Sequence, residues 1–119
     1  MTLTERQVRF TFLLGKLLSY ASETLNLDVK ITELNRLLET QKDYVARGVS
    51  KTMDSCHLLN LAVDLYIIKD GAPTKNMEDY RQLGVYWECI GGRWGGRFGV
   101  PEAEWDKRLG WDCPHFECR

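Results

Sequence analysis

Residues 60–68 read NLAVDLYII. Leu61, Val63, Leu65 and Ile67 alternate with Ala62, Asp64, Tyr66 and Ile68, and a period of two sets each group on its own face of a β-strand. One face is wholly apolar and must be covered by other elements. The other is apolar except for Asp64. A carboxylate held there without a partner costs on the order of several kcal/mol, so a cation beside it is the economical account.

The elements available to cover that strand are few, because 119 residues and 13.8 kDa make one compact domain, residues 1–119, with no room for a second core. From Arg6 to about Thr24 the residues Phe10, Leu13, Leu14, Leu17, Leu18, Ala21 and Leu25 recur at helical intervals, and Thr4 with Gln7 can form a capping box. Val29 and Ile31 in DVKIT read as a short strand ending near Glu33. A second helix is expected over Leu37 to Ala46, stopped by Gly48. KDGAPT is a turn, and Asn76 with Asp79 caps a third helix through about Ile90, ended by Gly91 and Gly92. RWGGRFG reads as an irregular strand, followed by a loop to about Gly110 and a last short strand from His115 to Cys118. The fold class is α+β, with helices packed on one face of a small, mainly antiparallel sheet.

Composition removes several function classes. A net charge of -1 and a pI near 6.1 give no electrostatic footprint for nucleic acid or an anionic membrane. LAVDLYII is too short to span a bilayer and carries Asp64, so no membrane insertion is expected. MTLTERQVRF lacks the features of a signal peptide, which gives a cytoplasmic start as the expectation. Four cysteines without framework spacing are read as reduced thiols, and a monomer is expected. The glycines of GGRWGGRFG form no phosphate loop, since no G-K-S/T follows, and suit backbone approach to an extended peptide or simple tight turns. Trp87, Trp94, Trp105 and Trp111 are read as core and rim residues, with Trp94 and Trp111 placed to line a groove.

The chain has two histidines. His57, in SCHLLNLAVD, precedes Asp64 by seven positions at the start of the same strand, and opposite parity requires a bend before both can face one ion. Asn60 suits that bend, because asparagine tolerates positive φ. The second, His115, lies in WDCPHFECR. If His57, Asp64 and His115 converge, two imidazoles and a carboxylate leave a fourth vertex on tetrahedral zinc for water, whose pKa the metal lowers to roughly 7. Asp112, three residues before His115, can then act as general base across a turn through Cys113 and Pro114. Glu117 shares the parity of His115 and is either a partner behind that ligand or an outward surface acid.

These residues resemble a known pattern. S-x-H-x-x-G-x-A-x-D followed near the C-terminus by D-x-x-H within PHF or PHFE is the signature of the M15 metallopeptidases, which include D-alanyl-D-alanine carboxypeptidases and phage L-alanyl-D-glutamate endolysins. This chain carries Ser55, His57, Ala62 and Asp64 in the first motif, with Asn60 at the family's glycine, and Asp112 and His115 in DCPHFE. YVARGVSKTMDSCHLLNLAVDL and DYRQLGVYWECIGGRWGGRF extend the likeness from about Asn35 onward. The resemblance implies a hedgehog/DD-peptidase-like fold, zinc (Zn2+) held by His57, Asp64 and His115, and Asp112 as catalytic base. It implies peptidoglycan stem peptides as substrates, cut at an L-Ala to D-Glu or a D-Ala bond. Arg36, standing where the family has Y-R-T-P-E, would hold a substrate carbonyl or carboxylate. Ser55 joins it beside the substrate and suits a turn cap better than a nucleophile, since two metal-bound histidines leave no base for it. Without an export signal or cell-wall-binding module, a phage endolysin waiting in the host cytoplasm for holin-mediated release is the expected setting.

Two other readings stand beside it. Cys113, His115 and Cys118, with Cys56 or His57, could form a closed structural zinc site, or the chain could bind muropeptides without catalysis. A ferrous oxygenase site fits less well, because Leu59 occupies the place of its carboxylate two residues after His57.

Overall fold

The computed structural model describes residues 1–34, 46–48 and 56–118, with His57 and Leu58 described in their backbone alone. Arg36, Ser55 and, but for Ala46, the helix expected over Leu37–Ala46 lie outside the described residues. The fold is α+β as the sequence indicates. Helix α1 spans Leu3–Ser19 and α2 spans Arg81–Cys89. The strands are β1 Asp28–Glu33, β2 Ala62–Lys69, β3 Ala72–Pro73, β4 Arg93–Trp94 and β5 His115–Glu117. Every pairing among the described residues is antiparallel, in the order β1-β2-β5-β4, with β3 continuing from the end of β2 beside it. No helix among the described residues is long and apolar enough to cross a membrane.

The alternation in β2 decides what the sheet covers. Leu61, Val63, Leu65 and Ile67 are all fully buried. Val63 pairs with Phe116, which pairs with Trp94, and residues directly opposite in antiparallel strands share a face. Both helices pack on that face, where Trp87 of α2 stands edge-on to Phe10 of α1 at 6.0 Å and to Phe116 at 6.1 Å. The opposite face holds the register pairs Asp64 with His115, Ala62 with Glu117, and Arg93 with Glu117. The chemistry is therefore carried on the side of the sheet away from α1 and α2.

Helix α1 begins earlier than its periodicity suggests. Its cap is Thr2, whose Oγ1 accepts from Glu5 N at 3.1 Å, and not Thr4. Gln7 donates instead to the Leu59 carbonyl at 2.8 Å, a contact across 52 positions that tethers α1 to the segment before β2. The last turn, Tyr20–Thr24, is π-helical.

The approach to β2 also corrects the sequence reading. His57 starts no strand: its backbone belongs to a 3-10 turn, Cys56–Leu59, which ends at Asn60 with φ 55°. Leu61 N then donates back to the Cys56 carbonyl at 2.9 Å, closing the turn as a left-handed residue closes a helix end. Asn60 thus makes the bend for which its chemistry suited it. Replacing Asn60 with glycine should leave stability within a few tenths of a kcal/mol, whereas Asn60→Val should cost about 1–2 kcal/mol. Equal urea midpoints for the two variants would refute a strained backbone at this position.

Candidate active site

Asp64 and His115 face each other across β2 and β5, and His115 Nδ1 lies 3.2 Å from Asp64 Oδ1. The same nitrogen is 3.8 Å from Asp112 Oδ2. On the far side of the ring, Nε2 is 2.8 Å from Glu117 Oε1. Three carboxylates thus surround one imidazole that is 7% exposed. Asp112 and Asp64 are more open, at 33% and 21% side-chain exposure.

Local backbone geometry produces this convergence. His115 N donates to the Asp112 carbonyl at 3.1 Å, so Asp112, Cys113, Pro114 and His115 form one tight turn. Trp94 Nε1 pins the turn by donating to the Cys113 carbonyl at 2.7 Å, and Leu65 N donates to the Pro114 carbonyl at 2.9 Å. Gly95 lies beneath it. A Cβ there would run into the Asp112 carbonyl oxygen and within 2.9 Å of His115 Cβ. Gly92 and Gly96 are likewise packed against the rings of Trp87 and Trp94, so these three glycines seat the chain's own residues and not a peptide.

Glu117 is a buried partner of His115 and not a surface acid, being 4% exposed. Its second oxygen accepts from Cys56 Sγ at 3.5 Å and lies 3.8 Å from Arg93 Nη1. Burial opposes charge on His115, but the hydrogen bonds to Asp64 and Glu117, helped by the nearby charge of Asp112, prevail and push its pKa up from 6.5 to about 9. In metal-free protein this raised value contributes up to about 3 kcal/mol of stability, fully present below pH 6.5 and lost as pH rises through 9. Unfolding midpoints of chelator-treated protein measured from pH 6 to 10 should fall accordingly. A flat profile would refute it.

The cysteine alternative fails on geometry. Cys118 alternates to the face away from His115, with its N donating to the Leu61 carbonyl, and the Cys113 thiol lies 3.7 Å from the Gly110 carbonyl. Burial above all raises both thiol pKa values, which disfavours thiolate. No disulfide joins Cys56, Cys89, Cys113 or Cys118. Trp94, read as a groove residue, is instead fully buried, whereas Trp111 is 60% exposed. Sequence reasoning passed over Phe98, whose ring lies 5.5 Å from His115 and 5.4 Å from Trp111.

Among the described residues no three histidine, cysteine or acidic side chains are grouped to hold a metal. The side chain of His57, the third ligand read from the sequence, lies outside them. The two donors that are described do fit. Zinc bonds of about 2.0–2.1 Å at a tetrahedral angle separate two ligand atoms by about 3.3 Å. Asp64 Oδ1 and His115 Nδ1 are 3.2 Å apart.

The sequence matches no family model and no curated protein. Solved structures share its α+β fold. The L-Ala D-Glu endopeptidase ChiX of Serratia marcescens superposes with a TM-score of 0.63 at 24% identity, over 88% of this chain and 79% of that one. The vancomycin resistance D,D-pentapeptidase VanY of a VanB-type cassette, solved as a mutant with Zn(II), gives 0.59 at 21% identity, over 93% and 71%. The chain thus has a fold found in endopeptidases and D,D-peptidases.

Proposed function

We propose that this protein is a zinc-dependent peptidase of the M15 type that hydrolyses stem peptides of bacterial peptidoglycan. The observation that carries the reading is the meeting of Asp64 and Asp112 on a single nitrogen of His115, 3.2 and 3.8 Å away, while Glu117 occupies the other. The motif resemblance and the two peptidases of like fold support it. Asp64, His115 and His57 would hold the metal, which supplies Lewis-acid polarisation of the scissile carbonyl.

The chain's own residues divide the remaining work. Glu117 accepts a hydrogen bond from His115 Nε2–H, which fixes the tautomer and leaves the Nδ1 lone pair for the metal that Asp64 would share. Asp112, one-third exposed at the mouth of the site, takes a proton from the attacking water and delivers it to the leaving amine. Phe98 and Trp111 wall one side. The proposed bond is L-Ala to D-Glu or one to D-Ala, with Arg36 and Ser55 on the substrate side. The proposed setting is a phage endolysin, held in the host cytoplasm until a holin releases it to the wall.

Mass spectrometry of peptidoglycan digested by zinc-loaded protein tests this, with chelator and Asp112→Ala controls. New free amines from one peptide bond, absent from both controls, are expected. Intact peptidoglycan overturns the reading. Binding of fragments without new amines would make the chain a muropeptide-binding module instead.

A further inference from the structure

The segment GGRWGGRFG places two arginines on one cavity of about 800 Å³, walled by Phe98, Val100, Pro101 and Trp105. They differ in what is left for a ligand. Arg97 is 12% exposed: Nε and Nη2 bind both oxygens of Glu88 at 3.1 Å, and Nη1 donates to the Trp105 carbonyl at 3.1 Å. Its plane lies over the rings of Trp94 at 5.0 Å and Trp105 at 4.8 Å. Arg97 is thus committed to the fold. Arg93 is 57% exposed, and the ion-pair contact it makes among the described residues, to Glu117 Oε2 at 3.8 Å, is beyond hydrogen-bond length. A guanidinium has five N–H donors, so most of Arg93's donor capacity faces outward. Glu88 neutralises Arg97, so among the described lining residues the guanidinium left with open donors is that of Arg93, which Glu117 faces from 3.8 Å.

Arg93 is also held in place and close to the chemistry. Its guanidinium lies 5.0 Å over the Phe98 ring, which orders the side chain before any ligand arrives. The same ring is 5.5 Å from His115, and Arg93 pairs with Glu117 on the sheet face that bears the site. A peptide with its scissile bond at Asp64, His115 and Asp112 would lay its flank on Phe98 and reach Arg93.

We propose that Arg93 is a specificity-determining residue that binds a free carboxylate on the substrate residue next to the scissile bond, with the adjoining chain in the Phe98–Trp105 cavity. The proposal rests on the peptidase reading for its substrate, but its test does not depend on turnover. Calorimetric titration of Asp112→Ala protein with L-Ala-γ-D-Glu-L-Lys and with its α-amide compares a charged and a neutral ligand of the same shape. The acid should bind about tenfold or more tightly than the amide, as charge-assisted hydrogen bonds require. Arg93→Ala should abolish that preference by weakening the acid alone, and Arg93→Lys, which keeps the charge but not the fork, should keep part of it. Equal binding of the two peptides, binding of neither, or a preference that survives Arg93→Ala would each overturn the proposal. Acid preference without any peptidoglycan cleavage by the parent protein would sustain it while sinking the peptidase reading.

Discussion

Asp112→Ala protein is expected to take up zinc as the parent does and to hydrolyse stem peptide about 10²–10⁴-fold more slowly, the usual contribution of a positioned general base. The fold should survive. Asp112 serves the turn through its backbone, N donating to the Gly95 carbonyl at 3.2 Å and O accepting from His115 N, and alanine keeps both contacts. Glu117→Gln makes the contrast. It disturbs the group that orients His115, so zinc affinity should fall about 10–100-fold, with the rate at saturating metal less affected. Metal titration alongside steady-state kinetics separates the two variants. Equal rates for Asp112→Ala and the parent would remove Asp112 from the mechanism.

Trp87→Ala should cost about 3–5 kcal/mol, the range for emptying a buried tryptophan site. Trp87 is fully buried, and its Nε1 donates to the Glu117 carbonyl at 3.0 Å and the Arg93 carbonyl at 3.2 Å. One indole therefore ties β5 to β4 behind the site, and its loss leaves a cavity as well as two carbonyls short of a donor. A domain of this size has about 5–15 kcal/mol in total, so much of the protein should be unfolded in mild urea. Trp87→Phe keeps most of the volume and should lose less. A Trp87→Ala midpoint within about 1 kcal/mol of the parent would show that this contact does not hold the strands.

Local and distant effects leave different traces in the chain. The period-two run of β2, the period of α1, the Asn76 cap and the left-handed Asn60 are legible because each depends on residues within one turn or strand. The cap of α1 was not, because Thr2 and Thr4 each stand three residues before a Glu or Gln, and Gln7 is drawn to Leu59 by tertiary packing. Trp94 and Trp111 have the same apolar area, and pairing with Phe116 buries one while the other stays 60% exposed.

The site divides in the same way. Sequence alone determined which side chains can ligate, donate and accept, the sheet faces of Asp64 and His115, and the three-residue offset that brings Asp112 beside His115. Tertiary structure decided that those strands are neighbours in this register, that Glu117 is buried behind the imidazole, and that Arg97 is consumed by Glu88 while Arg93 faces outward. Side-chain periodicity is a property of the local backbone, whereas burial, register and ion pairing depend on groups far along the chain, as Cys56 is from Glu117 and Phe10 from Trp87.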